Sequence, residues 1–428
     1  MDTIDKKICI KCGIEKPIKP DFKKKNDTVC KECKEKTIIK SYKVKLYPTK
    51  DQEFMMFKIA GACRFIYNWS LNKQNKHYEE VKDNEKIKNK FINSFDMAKL
   101  ITQLKKEEGF EWLSNVPKTA LDGAATDCCE AFIKMFKGNS ERPRFKSKNK
   151  TKPSFLNRLD GKSPVVKVNE THVSIAKVGR VKYRGQLTSY LDKYTNCRIS
   201  YDGIDWWASM GIEFEKILND EVNINTIGID LGVKDLAVIS TEKVYENINK
   251  TKEIKQLEKK LKRFQRQLSR KYDDLKEGTC YKKGEKLFKT KNIIKLEKEI
   301  KKIHRKLNRK RDDYRHNFTA DIIKMNPKKV VIEDLNVSGM MKNKHLSRAI
   351  AQQGFYEIKR QLEYKTKLNG IELVIADRFY PSSKTCSNCG SYKEDLKLKD
   401  RKYMCNACGI VIDRDLNAAI NLSKYKII

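Results

Sequence analysis

Apolar side chains alternate with lysine over residues 42–46, where the first folded segment of the chain is predicted. This two-residue period is typical of a strand that buries one face, and Pro48 ends it. Thr49 and Gln52 follow with the spacing of a capping box, in which each side chain bonds to the backbone N–H of the other. We therefore expect a strand followed at once by a buried helix.

After this strand, the spacing of the apolar residues changes twice, and it divides the next part of the chain into two segments. Helical spacing with charged breaks fills residues 51–149, which predicts a helical domain. Short alternating runs separated by turn residues fill residues 150–220, which predicts a small β domain. Because a helical insertion between strands costs little loop entropy, the early strand, within residues 39–50, is expected to join the sheet of this β domain.

Beyond residue 221 the pattern becomes strand, turn, strand, and a long charged segment follows at residues 250–316. Two sets of apolar residues in this segment step by three and four positions, so each set lies on one helical stripe. The sets are Ile254, Leu257, Leu261, Phe264 and Leu268, and Ile293, Leu296, Ile300, Ile303 and Leu307. We expect an antiparallel helical hairpin. Its remaining faces are crowded with Lys and Arg, which indicates either an ordinary solvated surface or one that follows a phosphate backbone.

The net charge is the feature of the composition that most restricts the class of binding partner. Lys and Arg number 93 against 56 Asp and Glu, which gives a formal net charge of +37 over 428 residues. This excess points to a polyanionic partner, with nucleic acid favoured. The chain has no run of about 18 apolar residues and no signal-peptide pattern, which argues against a membrane partner and for a soluble cytoplasmic protein. The length predicts two to four domains.

Eight of the 13 cysteines form four Cys-x-x-Cys pairs, a spacing that indicates metal binding in a large chain without a signal peptide. The C-terminal pairs are separated by 15 residues, which is the spacing of a four-thiolate zinc ribbon, here residues 385–408. Its ligands are Cys386, Cys389, Cys405 and Cys408. Such a site is closed and structural, so we do not expect it to carry catalysis.

A second zinc module is predicted at residues 1–38, where 17 residues separate the two pairs and too few apolar residues are present to fold without a metal. Its ligands are Cys9, Cys12, Cys30 and Cys33. The other five cysteines have no partner at ligand spacing and are expected to be small core residues or free thiols. They are Cys63, Cys128, Cys129, Cys197 and Cys280.

Three acidic residues stand at or just after apolar runs: Asp230 in IGIDLG, Glu333 in KKVVIEDLN and Asp415 in VIDRDLNAAINL. A carboxylate at the end of a buried strand is costly unless a cation neutralises it, and two Mg²⁺ ions would do so. Three convergent carboxylates with two metals suffice for phosphodiester hydrolysis. The five histidines are scattered, which argues against a His-based nuclease. Taken singly, each acidic residue is more simply a helix cap or a surface charge, and it is the presence of three strand-linked carboxylates in one domain that favours catalysis.

These motifs resemble the TnpB nucleases of bacterial insertion sequences and their relatives, the compact type V CRISPR effectors of the miniature Cas12 type. IGIDLGVKDLAV, VVIEDLNVSGM and DRDLNAAINL look like the three RuvC motifs, with PSSKTCSNCG and YMCNACG as the zinc ribbon before the third. KLYPTKDQE, ACRFIYNWSLNKQ and GRVKYRG are similar to the family's N-terminal strand, first recognition helix and wedge domain. The resemblance covers nearly the whole chain after residue 38.

The resemblance implies an α/β multidomain fold. Its RNase H-like RuvC nuclease domain would span residues 221–384 and 409–428 and would contain the inserted zinc ribbon. A wedge β-barrel at residues 150–220, a helical recognition domain at residues 51–149 and the N-terminal zinc module would complete the chain.

The resemblance also implies RNA-guided cleavage of double-stranded DNA next to a short flanking motif, in a bacterial or archaeal cell. Asp230, Glu333 and Asp415 take the catalytic places with two Mg²⁺ ions, and Asp413 is a candidate for assisting them. A guide RNA and the target DNA are the implied partners. The N-terminal zinc module favours a CRISPR-associated form or an intermediate between transposon and CRISPR nucleases.

Two other functions fit parts of the sequence. A zinc-ribbon regulator that binds RNA or DNA without cutting is compatible with the charge and the ribbons, and a DNA-strand transferase is compatible with an RNase H-like fold. The sequence leaves the oligomeric state open between a monomer and a homodimer.

Overall fold

The computed structural model describes residues 6–8, 15–17, 37–83, 91–160, 163–164, 167–185, 194–215, 223–279, 287–397 and 400–426. The four cysteines of the predicted N-terminal zinc module lie outside these residues. In that segment, strands β1 (Lys6–Ile8) and β2 (Glu15–Pro17) pair antiparallel. The chain divides into two compact units, residues 37–214 and residues 1–36 together with 215–428.

The unit of residues 37–214 contains helices and an eight-stranded sheet. Its helices are α1 (Lys50–Val81), α2 (Ser94–Leu104) and α3 (Lys118–Phe136), with a short 3₁₀ turn at Glu111–Asn115. Its strands are β3 (Thr37–Tyr47), β4 (Ser154–Asp160), β5 (Ser163–Pro164), β6 (Lys167–Val168), β7 (His172–Ile175), β8 (Gly179–Arg184), β9 (Tyr194–Tyr201) and β10 (Trp206–Glu215). The strand order is β5-β4-β9-β10-β3-β8-β7-β6.

The predicted start of α1 is confirmed. Thr49 Oγ1 accepts a hydrogen bond from the backbone N–H of Gln52 at 3.3 Å, and Gln52 Oε1 accepts one from the N–H of Thr49 at 3.0 Å. The Gln52 amide also donates to the carbonyl of Arg180 in β8 at 2.9 Å, so the cap ties the helix to the sheet. The early strand joins that sheet as predicted, because β3 lies between β10 and β8.

One hydrophobic core serves both the helices and the sheet of this unit. Met56 and Ala125 from the helices and Phe155, Val181 and Trp206 from the strands belong to a single buried cluster. The segments predicted as a helical domain and a β domain are therefore one compact unit. The sequence pattern could not show this. The hydrophobic period of a segment indicates which of its faces is buried, but not which other element packs against that face.

Four of the five unpaired cysteines are buried free thiols, as predicted, namely Cys63, Cys128, Cys129 and Cys197. Burial raises the pKa of Cys63 and of Cys197 to about 12, so these thiols stay protonated at neutral pH. The fifth, Cys280, lies outside the described residues.

The second unit is built around a five-stranded sheet in the order β13-β12-β11-β14-β15. Its strands are β11 (Ile224–Leu231), β12 (Asp235–Ile239), β13 (Val244–Glu246), β14 (Pro327–Glu333) and β15 (Glu372–Ala376). β11, β14 and β15 run parallel, while β12 and β13 pair antiparallel. The buried run Val330, Val331 and Ile332 makes β14 a central strand, as its continuous apolar sequence predicts.

Helices and a small ribbon complete this unit. The helices are α4 (Lys252–Gly278), α5 (Lys291–Lys324), α6 (Val337–Met340), α7 (Ser347–Gln353), α8 (Phe355–Leu368) and α9 (Arg414–Ser423). A short 3₁₀ turn precedes α4 at Ile248–Lys250. The two ribbon strands are β16 (Lys402–Met404) and β17 (Val411–Asp413).

The predicted antiparallel hairpin is formed by α4 and α5. Ile254, near the start of α4, packs with Ile303 and Leu307 of α5, and Tyr272, late in α4, donates a 2.6 Å hydrogen bond to Glu297, early in α5. α5 continues to Lys324, beyond the predicted end at residue 316, because its last turns are buried in the core that covers the sheet. No helix in the described part of the chain is long and apolar enough to cross a membrane.

Candidate active site

Two of the predicted catalytic carboxylates lie side by side on neighbouring parallel strands. Ile229 of β11 is the register partner of Ile332 of β14, and Asp230 and Glu333 are the next residues on the two strands. Both strands reach the same edge of the sheet there, since Glu333 is the last residue of β14 and only Leu231 follows Asp230 in β11. Carboxyl ends of parallel strands are a common place for a binding site.

The third carboxylate comes from α9, which packs directly on β11. A Cβ added at Gly228 would lie 2.0 Å from the carbonyl oxygen of Ala419 and 2.4 Å from the backbone N of Ser423. Only glycine permits this approach of helix to strand. Asp415 lies in the first turn of α9. The packing of α9 on β11 therefore brings Asp415 towards the edge of the sheet that carries Asp230.

The three carboxyl groups lie close enough for the charges of Glu333 and Asp415 to raise the pKa of Asp230, and for that of Asp415 to raise the pKa of Glu333. Burial raises the pKa of Asp230 well above its ordinary value of 3.8, the charges of Glu333 and Asp415 raise it further, and Arg414 opposes them. Burial also raises the pKa of Glu333, against a hydrogen bond from Ser382, and Asp415 adds to the rise. A raised pKa means that the protein supplies too little positive charge to favour the ionised carboxylates. Bound divalent cations would supply that charge.

Protein donors already fix two of these carboxylates. Ser382 Oγ donates a 2.5 Å hydrogen bond to Oε1 of Glu333. Arg414 donates to Oδ1 of Asp415 through Nε at 3.1 Å and Nη2 at 2.9 Å, and Arg401 lies 4.0 Å from its other oxygen. Asp413, considered above as a possible assistant, accepts hydrogen bonds from the N–H groups of Asp415 and Leu416 and caps α9. Its charge also raises the pKa of Asp230.

The four C-terminal cysteines form a group that could hold a metal ion. All four Sγ atoms lie within 4.8 Å of one another, with 3.7 Å between Cys386 and Cys408 and 3.5 Å between Cys389 and Cys405. Hydrogen bonds from the backbone N–H of Ile410 and the Asn388 amide lower the pKa of Cys408 to about 6. A thiolate is thereby favoured at Cys408, whereas the pKa of Cys389 is raised to about 12, against a backbone hydrogen bond from Ser391, by hydrogen bonds with Cys408 and Cys405. Four cysteine sulfurs in this arrangement fit a structural zinc ion.

Among the described residues, this is the one group of three or more such ligands whose atoms lie within 4.8 Å of each other. The carboxylate oxygens of Asp230, Glu333 and Asp415 thus do not all lie within 4.8 Å of one another.

Two asparagines of α9 connect the ribbon to the acidic residues. The Asn421 amide donates to the carbonyls of Ser382 at 2.7 Å and Thr385 at 2.6 Å. Asn417 donates to the Thr385 carbonyl at 2.8 Å and accepts a 2.9 Å hydrogen bond from the N–H of Ser387. Both asparagines are buried. The sequence analysis missed them, although two Asn four positions apart on an otherwise apolar helix face are a sign of buried polar contacts.

Three family models match the chain. A helix-turn-helix domain of the IS605 OrfB type matches residues 38–83, a probable transposase of that type matches residues 209–344, and a Cas12f1-like TNB domain matches residues 355–422. In the first segment, the described residues form β3 and the single long helix α1.

Two similar proteins each match 90% of the chain, and a third matches a shorter segment. "Putative RNA-guided DNA endonuclease InsQ" of Escherichia coli K12 is 29% identical over 405 residues, which are 90% of this chain and 91% of that protein. A Streptomyces pristinaespiralis protein named "Putative RNA-guided DNA endonuclease" is 28% identical over 90% of this chain and 88% of its own length. "TnpB-like protein L79" of Acanthamoeba polyphaga mimivirus is 36% identical over 102 residues, 22% of this chain and 19% of its own.

The chain is TnpB-like. The resemblance found in the motifs is thus confirmed by independent matches over the same segments. A solved structure agrees at the level of the fold: a chain of the "Cas12f1-sgRNA-target DNA complex" superposes with a TM-score of 0.56 at 15% identity, over 91% of this chain and 99% of that one.

Proposed function

We propose that this TnpB-like chain is a nuclease that cuts DNA selected by a guide RNA. The observation that carries the proposal is the site in which Glu333 and Asp415, from distant segments, lie close enough to the buried Asp230 to raise its pKa further. Proteins named as RNA-guided DNA endonucleases match nine tenths of the chain, which supports the same activity here. Residues 221–384 and 409–428 are on this account an RNase H-like RuvC domain, with the zinc ribbon of residues 385–408 inserted.

The chemistry proposed is phosphodiester hydrolysis with two Mg²⁺ ions held by the three carboxylates. Bound there, the ions would neutralise the carboxylates and the phosphate and lower the pKa of a water molecule. Within the chain, Ser382 keeps Oε1 of Glu333 in place and Arg414 holds Oδ1 of Asp415, so these two donors fix the orientation of both carboxylates.

The guide RNA is proposed to bind the unit of residues 37–214. The outer face of β3 carries Lys43, 4.9 Å from the centre of the Trp207 ring, and Lys45, 5.0 Å from that of Tyr47. The strand register sets Lys45 opposite Arg184 and Tyr47 opposite Lys182. Alternating cations and aromatic rings on a sheet face suit the phosphates and bases of RNA. A wedge role for this sheet and a recognition role for the helices are parts of the proposal.

The proposal is tested by purifying the chain with the RNA that accompanies it and adding matched double-stranded DNA with Mg²⁺. The wild type is expected to cut the DNA, while Asp230→Asn, Glu333→Gln and Asp415→Asn bind it without cutting. Asp321→Asn is the matched control, since this exposed aspartate pairs with Lys243 away from the site. Binding without cleavage by the wild type would favour a regulator, and joined DNA ends would favour a strand transferase. Either result would overturn the proposal.

A further inference from the structure

The turn that follows Asp230 is held by side chains from outside the sheet. This turn joins β11, which ends one residue after Asp230, to β12. The buried Gln353 amide, at the end of α7, donates to the carbonyls of Gly232 at 3.1 Å and Val233 at 3.2 Å. The buried Asn247 amide donates to the same Val233 carbonyl at 2.8 Å. The backbone next to a proposed metal ligand is therefore fixed by two distant segments.

A glutamate of α4 accepts hydrogen bonds from two other helices. Glu258 Oε1 accepts one from Arg311 of α5 at 2.9 Å and one from the Gln352 amide of α7 at 2.8 Å. Arg311 Nε also donates to Oδ1 of Asn249, just before α4, at 2.7 Å. Asn249 in turn donates its backbone N–H and its amide to Oδ1 of Asn247, each at 2.9 Å. Glu258 is thereby connected to the turn through Asn247.

These contacts form a closed ring, because Gln352 and Gln353 are neighbours in α7. We call it the Glu258 ring, and its side chains are those of Asn247, Asn249, Glu258, Arg311, Gln352 and Gln353. It joins the turn after Asp230 to the hairpin of α4 and α5 and to α7. The buried Arg315 of α5 separately donates to the carbonyls of Gln352 and Gln353, at 3.3 and 3.2 Å. A variant that opens the ring therefore keeps a second contact between α5 and α7.

The Glu258 ring contributes fixed geometry rather than much stability. The side chains of Arg311 and Glu258 are 12% and 23% exposed, so both charges are largely out of water. The cost of removing them from water offsets most of their attraction, and such a pair is weak evidence for stability. A bonded polar network does restrict its members to one arrangement. Metal ligands need this restriction, because a site works only when its side chains are held within about 0.5 Å of the productive geometry.

We propose that the Glu258 ring positions Asp230 for metal binding by fixing the turn that follows it. Gln353 and Asn247 hold the turn, and Glu258 and Arg311 set the positions of the segments that carry them. All four are positioning residues, since they act through the backbone next to Asp230. The inference rests on the proposed metal site, but the hold of the ring on the turn needs no metal. Because α4 and α5 belong to the ring, displacement of their hairpin would lower the metal affinity at Asp230.

The first test is hydrogen exchange of residues 230–240 in the full chain with its accompanying RNA, without divalent metal. Gln353→Leu removes the donor at the turn, and Arg311→Gln removes the pairing with Glu258 on the opposite side of the ring. Both are expected to exchange about threefold to tenfold faster in this segment, the effect of one lost hydrogen bond. Faster exchange in Arg311→Gln is the decisive result, because no contact of Arg311 with the turn is needed for it.

Two matched controls come from the same unit. Arg348→Gln removes a 61% exposed arginine that donates to Oε2 of Glu258, the oxygen that takes no part in the ring. Thr366→Val removes a buried hydroxyl that donates within its own helix, to the carbonyls of Leu362 and Glu363. A general loss of stability would affect Thr366→Val as well, whereas both controls are expected to keep wild-type exchange in residues 230–240.

The second test measures Mn²⁺ affinity by electron paramagnetic resonance, after subtraction of the Mn²⁺ that Asp230→Asn still binds. Gln353→Leu and Arg311→Gln are expected to weaken this affinity about tenfold, as loss of an orienting partner does. Asn249→Ala and Gln352→Leu each open the ring on one side of Glu258. Their double variant is expected to bind Mn²⁺ about as well as the weaker single variant, since independent effects would multiply.

The proposal is overturned if Arg311→Gln matches Arg348→Gln in exchange of residues 230–240, or in Mn²⁺ affinity. It is also overturned if the effects of Asn249→Ala and Gln352→Leu multiply. Cleavage of matched DNA by the wild type is scored separately. A wild type that binds Mn²⁺ at Asp230 but cuts no DNA would reject the nuclease function alone, because neither hydrogen exchange nor Mn²⁺ affinity depends on cleavage.

Discussion

The hydroxyl of Ser382 donates a 2.5 Å hydrogen bond to Oε1 of Glu333. Ser382 is buried, with 3% exposure, and its own carbonyl accepts the hydrogen bond from Asn421. Ser382, which precedes the ribbon, is therefore held by α9. It in turn holds the side chain of Glu333, a proposed metal ligand. Partners of metal-binding side chains act by orienting them, and their loss usually lowers metal affinity or activity.

We expect Ser382→Ala to reduce cleavage by about 10–100-fold and to raise the Mg²⁺ concentration needed for half-maximal activity. The physical reason is that Glu333 loses the donor that holds one of its oxygens. Ser382→Thr, which keeps the hydroxyl, should restore part of the activity. Ser383→Ala is the control, because Ser383 contributes its backbone carbonyl to Asn417 and an alanine keeps that group. Equal Mg²⁺ dependence in Ser382→Ala and Ser383→Ala would reject the orienting role.

Each of the two sets of four cysteines should bind one zinc ion independently of the other set. Elemental analysis of the purified chain is expected to give two zinc ions, with one lost in Cys405→Ser and the other lost in Cys9→Ser. Cys405→Ser should also reduce cleavage, because the ribbon base is held by Asn417 and Asn421 of the helix that carries Asp415. Cys197→Ala, at a buried free thiol, should keep both ions. A Cys405→Ser protein that retains both zinc ions would contradict the ribbon assignment.

Asp230→Asn should stabilise the protein in metal-free buffer. The pKa of Asp230 is raised in the folded state, so the folded protein holds this proton to a higher pH than the unfolded chain does. The stability gained from the protonated form is complete below the ordinary pKa of 3.8 and is lost as pH rises through the folded-state pKa. The melting temperature of Asp230→Asn should thus exceed that of the wild type by about 2–4 °C at neutral pH, and by less at acidic pH.

Saturating Mg²⁺ should remove most of this difference, because the wild type alone gains a neutralising ligand. A wild type that is more stable than Asp230→Asn at neutral pH without metal would contradict the account.

Gly228→Ala should separate α9 from β11. A methyl group there meets the backbone of Ala419 and Ser423 rather than a side chain that could move, so the helix itself must shift. We expect a loss of about 1–3 kcal/mol or more in urea unfolding, together with loss of cleavage. Gly278→Ala, at the end of α4, is the control because nothing lies within 4 Å of the added Cβ. A Gly228→Ala protein as stable and active as this control would exclude the close packing.

The sequence allowed correct predictions for features that depend on residues close together in the chain. The capping box at Thr49, the hairpin stripes and the two C-terminal Cys-x-x-Cys pairs each depend on residues a few positions apart, and the structure contains all three features. The acidic residues could be selected because each follows or ends an apolar run.

Contacts between distant segments were not predictable in this way. Ser382 lies 49 positions from Glu333, and Asn421 lies 39 positions from Ser382, so no local period reports their hydrogen bonds. The close approach of α9 to β11 at Gly228 likewise joins distant segments, since Gly228 meets the backbone of Ala419 and Ser423. The shared core of the helices and the sheet in residues 37–214 was missed for the same reason.

The central claim is that Asp230, Glu333 and Asp415 bind divalent cations together. Electron paramagnetic resonance with Mn²⁺, titrated into the chain with its guide RNA and matched DNA, measures this binding directly. The account predicts two bound ions in the wild type and a marked loss of bound Mn²⁺ in Asp230→Asn, Glu333→Gln and Asp415→Asn alike, with Asp321→Asn unchanged. Wild-type Mn²⁺ binding in all three variants would contradict it.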